Sequence, residues 1–479
     1  MKAPLRPQSS GACFAAIVAN TWATSVHINV AYDGSALDPA AFTYIPSIGA
    51  NGVVNYVPYD PVAGVPPGQV AILFLSRYSE GGSVIDCPKP AALGIETGFS
   101  GTGIGKAFRI TTDFPVTAYQ MVPFNGGPAA VTSATLLLPT SAWGTNYIAI
   151  NAYKAIPDPP PPANPIGGYP SLVVLAKENS TKVTLLPKTT VIGGPDVAAA
   201  SAGMPVTYTL NAGQFLQITQ PAELTGSPLE SDKPVGVFGA STCMRVPTTQ
   251  SDCDSAQQQL PPVGALGSEY VAVRHKNRTA MDEQGRWRLV GIVDGTTLTW
   301  SPAKPPNAPT SIGFGEVVEF EDPGPLVVRA QDKDHPFYLG AYMTGGSQFG
   351  NIGDPEWHNV ISPDHYLRRY VFFAEPSFPE TSLVVIRSRN KLSKSFAPVN
   401  LKCLGELVGW QSAGADYEWV RVDLVTGDFI PVGGCSHGTH EMWSDGPFGV
   451  TIWGWGTTQM TLRNSYSLSA GIGYRLMNQ

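Results

Sequence analysis

Asp232-Lys-Pro-Val-Gly-Val-Phe-Gly is one of four occurrences of the same phrase in this chain. Asp113-Phe-Pro-Val-Thr-Ala-Tyr-Gln precedes it. Asp334-His-Pro-Phe-Tyr-Leu-Gly-Ala and Asp445-Gly-Pro-Phe-Gly-Val-Thr-Ile follow, so that successive copies lie 119, 102 and 111 residues apart. Asp favours the start of a turn, and Pro fixes φ where a strand begins and no ladder N–H is needed. The small and apolar residues behind it suit a strand. Each phrase therefore predicts a turn that opens a strand, and its recurrence predicts repeated β modules.

Other features keep the same phase. Pro139/Trp143/Tyr147, Pro262/Leu266/Tyr270 and Pro363/Leu367/Tyr370 each lead into a strand opened by the tyrosine. Gly68-Gln69, Gly213-Gln214 and Gly315-Glu316 mark a shared turn. The predicted layout is an N-terminal tail 1–12 and four modules, 13–125, 136–245, 259–346 and 360–457, with a strand-like piece at 465–476. Phe14-Ala-Ala-Ile-Val-Ala-Asn is read as the first module's tyrosine-type strand, without the Pro/Trp lead-in. Either that module begins upstream, or 465–476 folds back to complete it. Junctions are placed near 126–135, 247–258 and 346–359. The proline tracts Ile156–Pro165 and Pro302–Pro309 are read as stiff surface loops within modules.

Composition agrees with this layout. Of 479 residues, 51 are Gly and 44 are Pro, the two poorest helix formers, while 43% are hydrophobic and only 14% charged. Disorder goes with few apolar residues and high net charge, so the chain is folded. The fold class is all-β: tandem β-sandwich-like repeats of about 100–120 residues, with a closed, propeller-like ring of the repeats as the alternative. A net charge of −7 and no dense basic stripe argue against nucleic acid as a partner. No stretch approaches the roughly 20 apolar residues of a transmembrane helix. Lys2 and Arg6 have no hydrophobic run behind them, so no export signal is read in the sequence.

Six cysteines, Cys13, Cys87, Cys243, Cys253, Cys403 and Cys435, fall along the chain as three neighbouring pairs. Six thiols allow about fifteen connectivities, of which neighbour pairing is the simplest. Structural disulfides would place the protein outside the cytoplasm; six buried thiols are the alternative. Ser100-Gly-Thr-Gly-Ile-Gly-Lys lacks the glycine and hydroxyl positions of a phosphate loop and reads as a glycine-rich turn. Cys435-Ser-His-Gly-Thr-His-Glu holds His437 and His440 near one another, but Cys435 is wanted for a disulfide and no second ligand pair stands at metal spacing. Asp252/Asp254 and Asp332/Asp334 read as solvated turns, and Gly353-Asp-Pro-Glu as a turn at a module boundary. Trp453 and Trp455 alternate along a strand and share a sheet face, which makes them either core or an aromatic binding surface. No catalytic residue, cofactor site or metal site is assigned.

One region is more specific. Ser231-Asp-Lys-Pro-Val-Gly-Val-Phe-Gly-Ala runs into Cys243-Met-Arg-Val-Pro, Cys253-Asp, Gln259-Leu-Pro-Pro and Gly267-Ser-Glu-Tyr. This resembles the N-terminal domain family of the IgG Fc-binding protein, specifically over about 170–275 and as a looser pattern elsewhere. The resemblance implies a secreted or cell-surface protein without catalytic activity in this domain, and a Cys243–Cys253 bridge. The Cys-dense modules of the animal proteins are missing, and Gly353-Asp-Pro-Glu has Glu where their cleavage motif has His. The function expected is a non-enzymatic extracellular or cell-surface binding and adhesion protein whose partner is an unknown protein or glycan. A structural surface or matrix component is the alternative, and a carbohydrate-active enzyme with scattered carboxylates the third reading.

Overall fold

The computed structural model describes residues 10–49, 53–128, 131–156, 168–457, 461 and 463–474. The first nine residues of the tail and most of the tract Ile156–Pro165 lie outside them. Among the described residues the chain is all-β, and its helices are short 3-10 turns.

The third segment shows the plan most clearly. One four-stranded sheet runs in the order Val317–Asp322, Gly285–Gly291, Phe337–Met343, Glu356–Asn359. A second runs Glu269–Ala272, Leu326–Ala330, Thr296–Ser301, Ser311–Ile312. Trp287, Leu289 and Leu339 from the one pack against Tyr270, Leu298 and Val328 from the other, all buried, as expected of a β-sandwich. The second segment repeats both orders. Its first sheet is Gln214–Thr219, Pro170–Ala176, Pro228–Met244 and Asp254–Leu260. Its second is Gly144–Ile148, Pro228–Met244 again, Thr181–Leu185 and Val206–Leu210. In the fourth segment the same places go to Tyr417–Thr426, Glu380–Ser388, Gly438–Trp455 and Ser465–Ser469, and to Leu367–Ala374, Gly438–Trp455, Val399–Leu401 and Gly405–Glu406. A propeller blade is a single four-stranded sheet. Two sheets per segment are what the strands form here, and no closed propeller is seen among the described residues.

The Asp-x-Pro phrase marks the passage from one sheet to the other. Pro228–Met244 pairs in one sheet through 228–231 and in the other from 235 onward. Gly438–Trp455 does the same before and after Asp445-Gly-Pro. In the first and third segments the phrase separates two shorter strands. One buried hydroxyl fastens each passage in the later segments. Tyr147, Tyr270 and Tyr370 donate to the carbonyls of Val235 (2.7 Å), Phe337 (2.8 Å) and Phe448 (2.5 Å), each three residues past the aspartate. The same hydroxyls accept from the N–H groups of Gly144, Gly267 and Leu367, each at 3.0 Å. These bonds join the 3-10 turn after each Pro, the tyrosine strand and the sheet crossing.

The first segment departs from the prediction. Phe14–Ala19 lies between Val70–Ser76 and Thr117–Val122, as Pro170–Ala176 lies between Gln214–Thr219 and Pro228–Met244. The N–H of Gly68 bonds to the carbonyl of Asn20, matching Gly213 to Ala176 and Gly315 to Gly291, and all three glycines have positive φ. Phe14–Ala19 is therefore the counterpart of the strand after the tyrosine strand. Its unbroken apolar run fits a strand buried on both faces. The C-terminal piece, Ser465–Ser469, pairs with 451–455 and completes the fourth segment, not the first.

Three stretches read as junctions hold strands. Ser133–Leu137, Asp254–Leu260 and Glu356–Asn359 each close the first-described sheet of their segment, as Ser465–Ser469 does in the last. These four last strands meet side by side in cyclic order, first with second, second with third, third with fourth, and fourth with first. Their free edges are buried, and side chains complete the backbone bonding. Ser133 and Thr135 accept from the N–H groups of Gln257 (2.9 Å) and Gln259 (3.0 Å). Gln258 donates to the carbonyls of Ala134 and Trp357, and Asn359 to that of Gln259. Ser465 donates to the Asp354 carbonyl, and Glu356 accepts from Ser467 N–H. Burial holds the Glu356 carboxyl well above the usual carboxylate range.

Where the first and fourth segments meet, Glu375 is 1% exposed. It accepts from the N–H (2.9 Å) and hydroxyl (2.5 Å) of Ser377, whose Oγ also receives the N–H of Gly127. Asn464 donates to the carbonyls of Gly126 and Gly127, and Tyr119 to that of Ala470. Burial pushes the Glu375 carboxyl up to about 7.

Two outcomes follow from this architecture. Tyr270→Phe keeps the ring but strands a buried N–H and carbonyl, so urea unfolding followed by tryptophan fluorescence should show a loss of about 1–3 kcal/mol. A folded-state value for Glu375 above the unfolded 4.5 means that stability is greatest below that pH and is lost as pH rises through about 7. Glu375→Gln should remove that dependence, gaining about 3 kcal/mol on wild type between pH 4.5 and pH 8, read from melting midpoints across the range.

Candidate functional site

Trp453 and Trp455 are each 1% exposed and form no binding platform. Val450 and Ile452 point into the core of the fourth segment, while the two indoles point the other way, onto Val271, Val273, Val327 and Met343 of the third. The face they share is real, but a neighbouring segment covers it.

Polar groups line the same seam. The rings of His275 and His358 both lie 5.0 Å from that of Trp453. His275 Nε2 is 3.0 Å from Glu283 Oε2. Arg278 bonds that same oxygen through Nε (3.0 Å) and Nη2 (2.9 Å), and donates through Nη1 to the carbonyls of Thr344 and Ile352. Burial brings His275 down to about 4 and His358 down to about 3, so both are neutral at physiological pH. Burial alone would raise Glu283, but His275 and Arg278 hold its carboxyl well below the usual range. Lys276 reaches across the seam to Glu380 (3.1 Å) and Asp423 (2.6 Å), above the ring of Trp455. The buried His275, Arg278 and Glu283 groups tie the third segment internally, and the part-exposed Lys276 ties it to the fourth. Nothing in the motif content of the sequence pointed to them: His275, Arg278 and Glu283 are near neighbours in an ordinary loop, and Lys276 finds its partners in distant stretches of chain.

The remaining sequence candidates are accounted for individually. Cys13–Cys87, Cys243–Cys253 and Cys403–Cys435 are all bridged, with sequence separations of 74, 10 and 32. His437 and His440 direct Nε2 at the carbonyls of Phe378 and Ser436, and the His440 ring stacks on Phe372. Among the described residues, no group of three His, Cys, Asp or Glu is placed to hold a metal. Asp252 and Asp254 are buried, contrary to the solvated-turn reading, and Asp252 lies 3.5 Å from Arg463 Nε. Asp332 is in an exposed turn and meets His335. Asp354 is 1% exposed, so Gly353-Asp-Pro-Glu belongs to the interior where the last strands meet and not to a surface turn. Gly103–Lys106, read as a turn, adds a strand to the second segment beside Gln214–Thr219.

Two cavities, of about 30 and 20 Å3, adjoin the junction of the third and fourth segments. Each has room for a water or two. Leu136, Gln258, Asn359 and Ser469 from the four last strands line the larger. The outer surface offers other aromatic features. Trp22 is 42% exposed with its ring 5.8 Å from that of Phe114, and Trp443 is 41% exposed on the open face of Gly438–Trp455. Trp443 was legible in principle, since it stands in the outward register of Thr439, Glu441 and Asp445.

A family model described as "IgGFc binding protein" matches residues 133–454. A curated protein of Homo sapiens named IgGFc-binding protein is 26% identical over 309 residues, covering 62% of this chain. The matched stretch spans only 5% of that protein's length. The family match starts at the last strand of the first segment and runs through the second and third and the fourth up to residue 454, taking in the three tyrosine locks and the Cys243–Cys253 and Cys403–Cys435 bridges. The chain belongs to the IgGFc binding protein family.

Proposed function

We propose that this chain is a non-enzymatic, extracellular or cell-surface binding and adhesion protein that engages a protein or glycan through its outer surface. The observation that carries this reading is the family match across 133–454. Support comes from the three disulfides, which suit an oxidising compartment, and from the low share of charged residues, 14% of the chain. The His275, Glu283 and Arg278 cluster is structural in this account, because it is buried and its polar groups bond to one another and to the carbonyls of Thr344 and Ile352. Binding then falls to exposed loops and open sheet faces, as on other β-sandwich scaffolds. The human relative's name records immunoglobulin Fc, which makes Fc one candidate partner among others.

The oxidised protein should show saturable binding to at least one member of a panel of immobilised IgG Fc, extracellular proteins and glycans. Binding should fall when the disulfides are reduced under otherwise native conditions. A panel on which nothing binds would count against the proposal.

A further inference from the structure

Trp443 belongs to a cross-strand row whose counterparts can be compared within the same molecule. In the fourth segment the row is Arg369–Trp443–Asn400–Glu406. The second segment has Asn146–Glu230–Thr184–Thr207 in the same places. The third has Glu269–Arg329–Thr299. Each row begins one residue before the lock tyrosine, at Tyr370, Tyr147 and Tyr270, so the register is fixed internally. Two rows are wholly polar, and their sandwiches form with the same strand order. A sandwich of this plan therefore does not need an indole there, and leaving a large aromatic 41% exposed gains the core nothing.

The surroundings of the indole are ordered. Arg369 bonds to Glu441 Oε1 through Nε (3.0 Å) and Nη2 (2.6 Å). Lys402 lies 3.6 Å from Glu441 Oε2, with its backbone N–H on the Glu441 carbonyl. The Cys403–Cys435 bridge closes the chain directly beyond Lys402. A flat ring whose neighbours are already paired with one another costs little further ordering on binding. Around it stand guanidinium and ammonium donors, the Asn400 amide with both donor and acceptor, and the Glu406 and Glu441 carboxylate acceptors. The charges are mixed and close to balanced, which favours neither an anion nor a cation. An apolar face ringed by both kinds of hydrogen-bonding group is complementary to a pyranose, whose C–H face stacks on an aromatic while its hydroxyls donate and accept.

We propose that the open sheet face at Trp443 is a binding site for a neutral sugar residue of a glycan, stacked on the indole with its hydroxyls bonded to Arg369, Asn400 and Glu406. This rests on the binding reading above and gives it a location and a ligand class.

The test is an array of neutral hexose and N-acetylhexosamine oligosaccharides, with hits titrated against the full oxidised chain. Trp443→Ala should weaken the hits at least about tenfold, while Trp443→Tyr retains most of the affinity. Trp22→Ala, at the other exposed tryptophan, should leave it unchanged. Melting midpoints of all three variants should match wild type, because neither indole is core. Binding that survives Trp443→Ala would overturn the site. If the chain ignores every neutral glycan but binds a protein, the sugar assignment fails while the binding reading stands. If it binds neither, both fail.

Discussion

Four strand edges are buried against one another, and the rest of the molecule is organised around satisfying them. Ser133–Leu137, Asp254–Leu260, Glu356–Asn359 and Ser465–Ser469 each end a sheet, and each would ordinarily present unpaired N–H and C=O groups to water. Here they face the corresponding strands of neighbouring segments, where a backbone group without a partner is costly. Hydroxyls and amides from Ser133, Thr135, Gln258, Asn359 and Ser465 complete the bonding that a further strand would supply. Polar side chains at the centre are thus the condition for bringing four sandwiches together. Glu356 is part of that condition, its buried carboxyl accepting from the N–H groups of Trp357 and Ser467.

This explains what the sequence disclosed and what it hid. The Asp-x-Pro phrase, the lead-in Pro and the tyrosine are local signals, and the structure joins them through single hydrogen bonds at Tyr147, Tyr270 and Tyr370. The cysteine pairs were legible because neighbours in sequence were the simplest partners. The last strands of the first three segments were hidden in stretches that read as junctions, as where Gln257-Gln-Gln clusters polar residues like a solvated linker, whereas the strand at 465–476 was legible but not the segment it completes. The burial of these strands depends on segments 99 or more residues away, the separation of Gln258 from Trp357. Phe14–Ala19 was misassigned for a related reason: an apolar run identifies a buried strand, but only its neighbours decide which one.

The tryptophans show the same limit from the other side. Alternation placed Trp453 and Trp455 on one sheet face, correctly, but a face can be covered by another segment of the same chain. Ten residues upstream, Trp443 occupies the outward register of the same long strand on the other side of the crossing, where the face remains open. One strand therefore contributes an indole pair to a seam and a single indole to the surface, and the crossing at Asp445-Gly-Pro separates the two roles. Tight packing between segments leaves small cavities at the centre and assigns recognition to the periphery.

The most direct test of the buried-edge account is amide hydrogen exchange at Gln257, Gln259 and Ser467, whose N–H groups bond to side chains of the adjoining segment. The account predicts protection equal to that of central strands such as Val70–Ser76, lost only on global unfolding. Exchange as fast as that of the exposed edge strand Val54–Pro58 would contradict it, and would mean that the four segments do not meet as described.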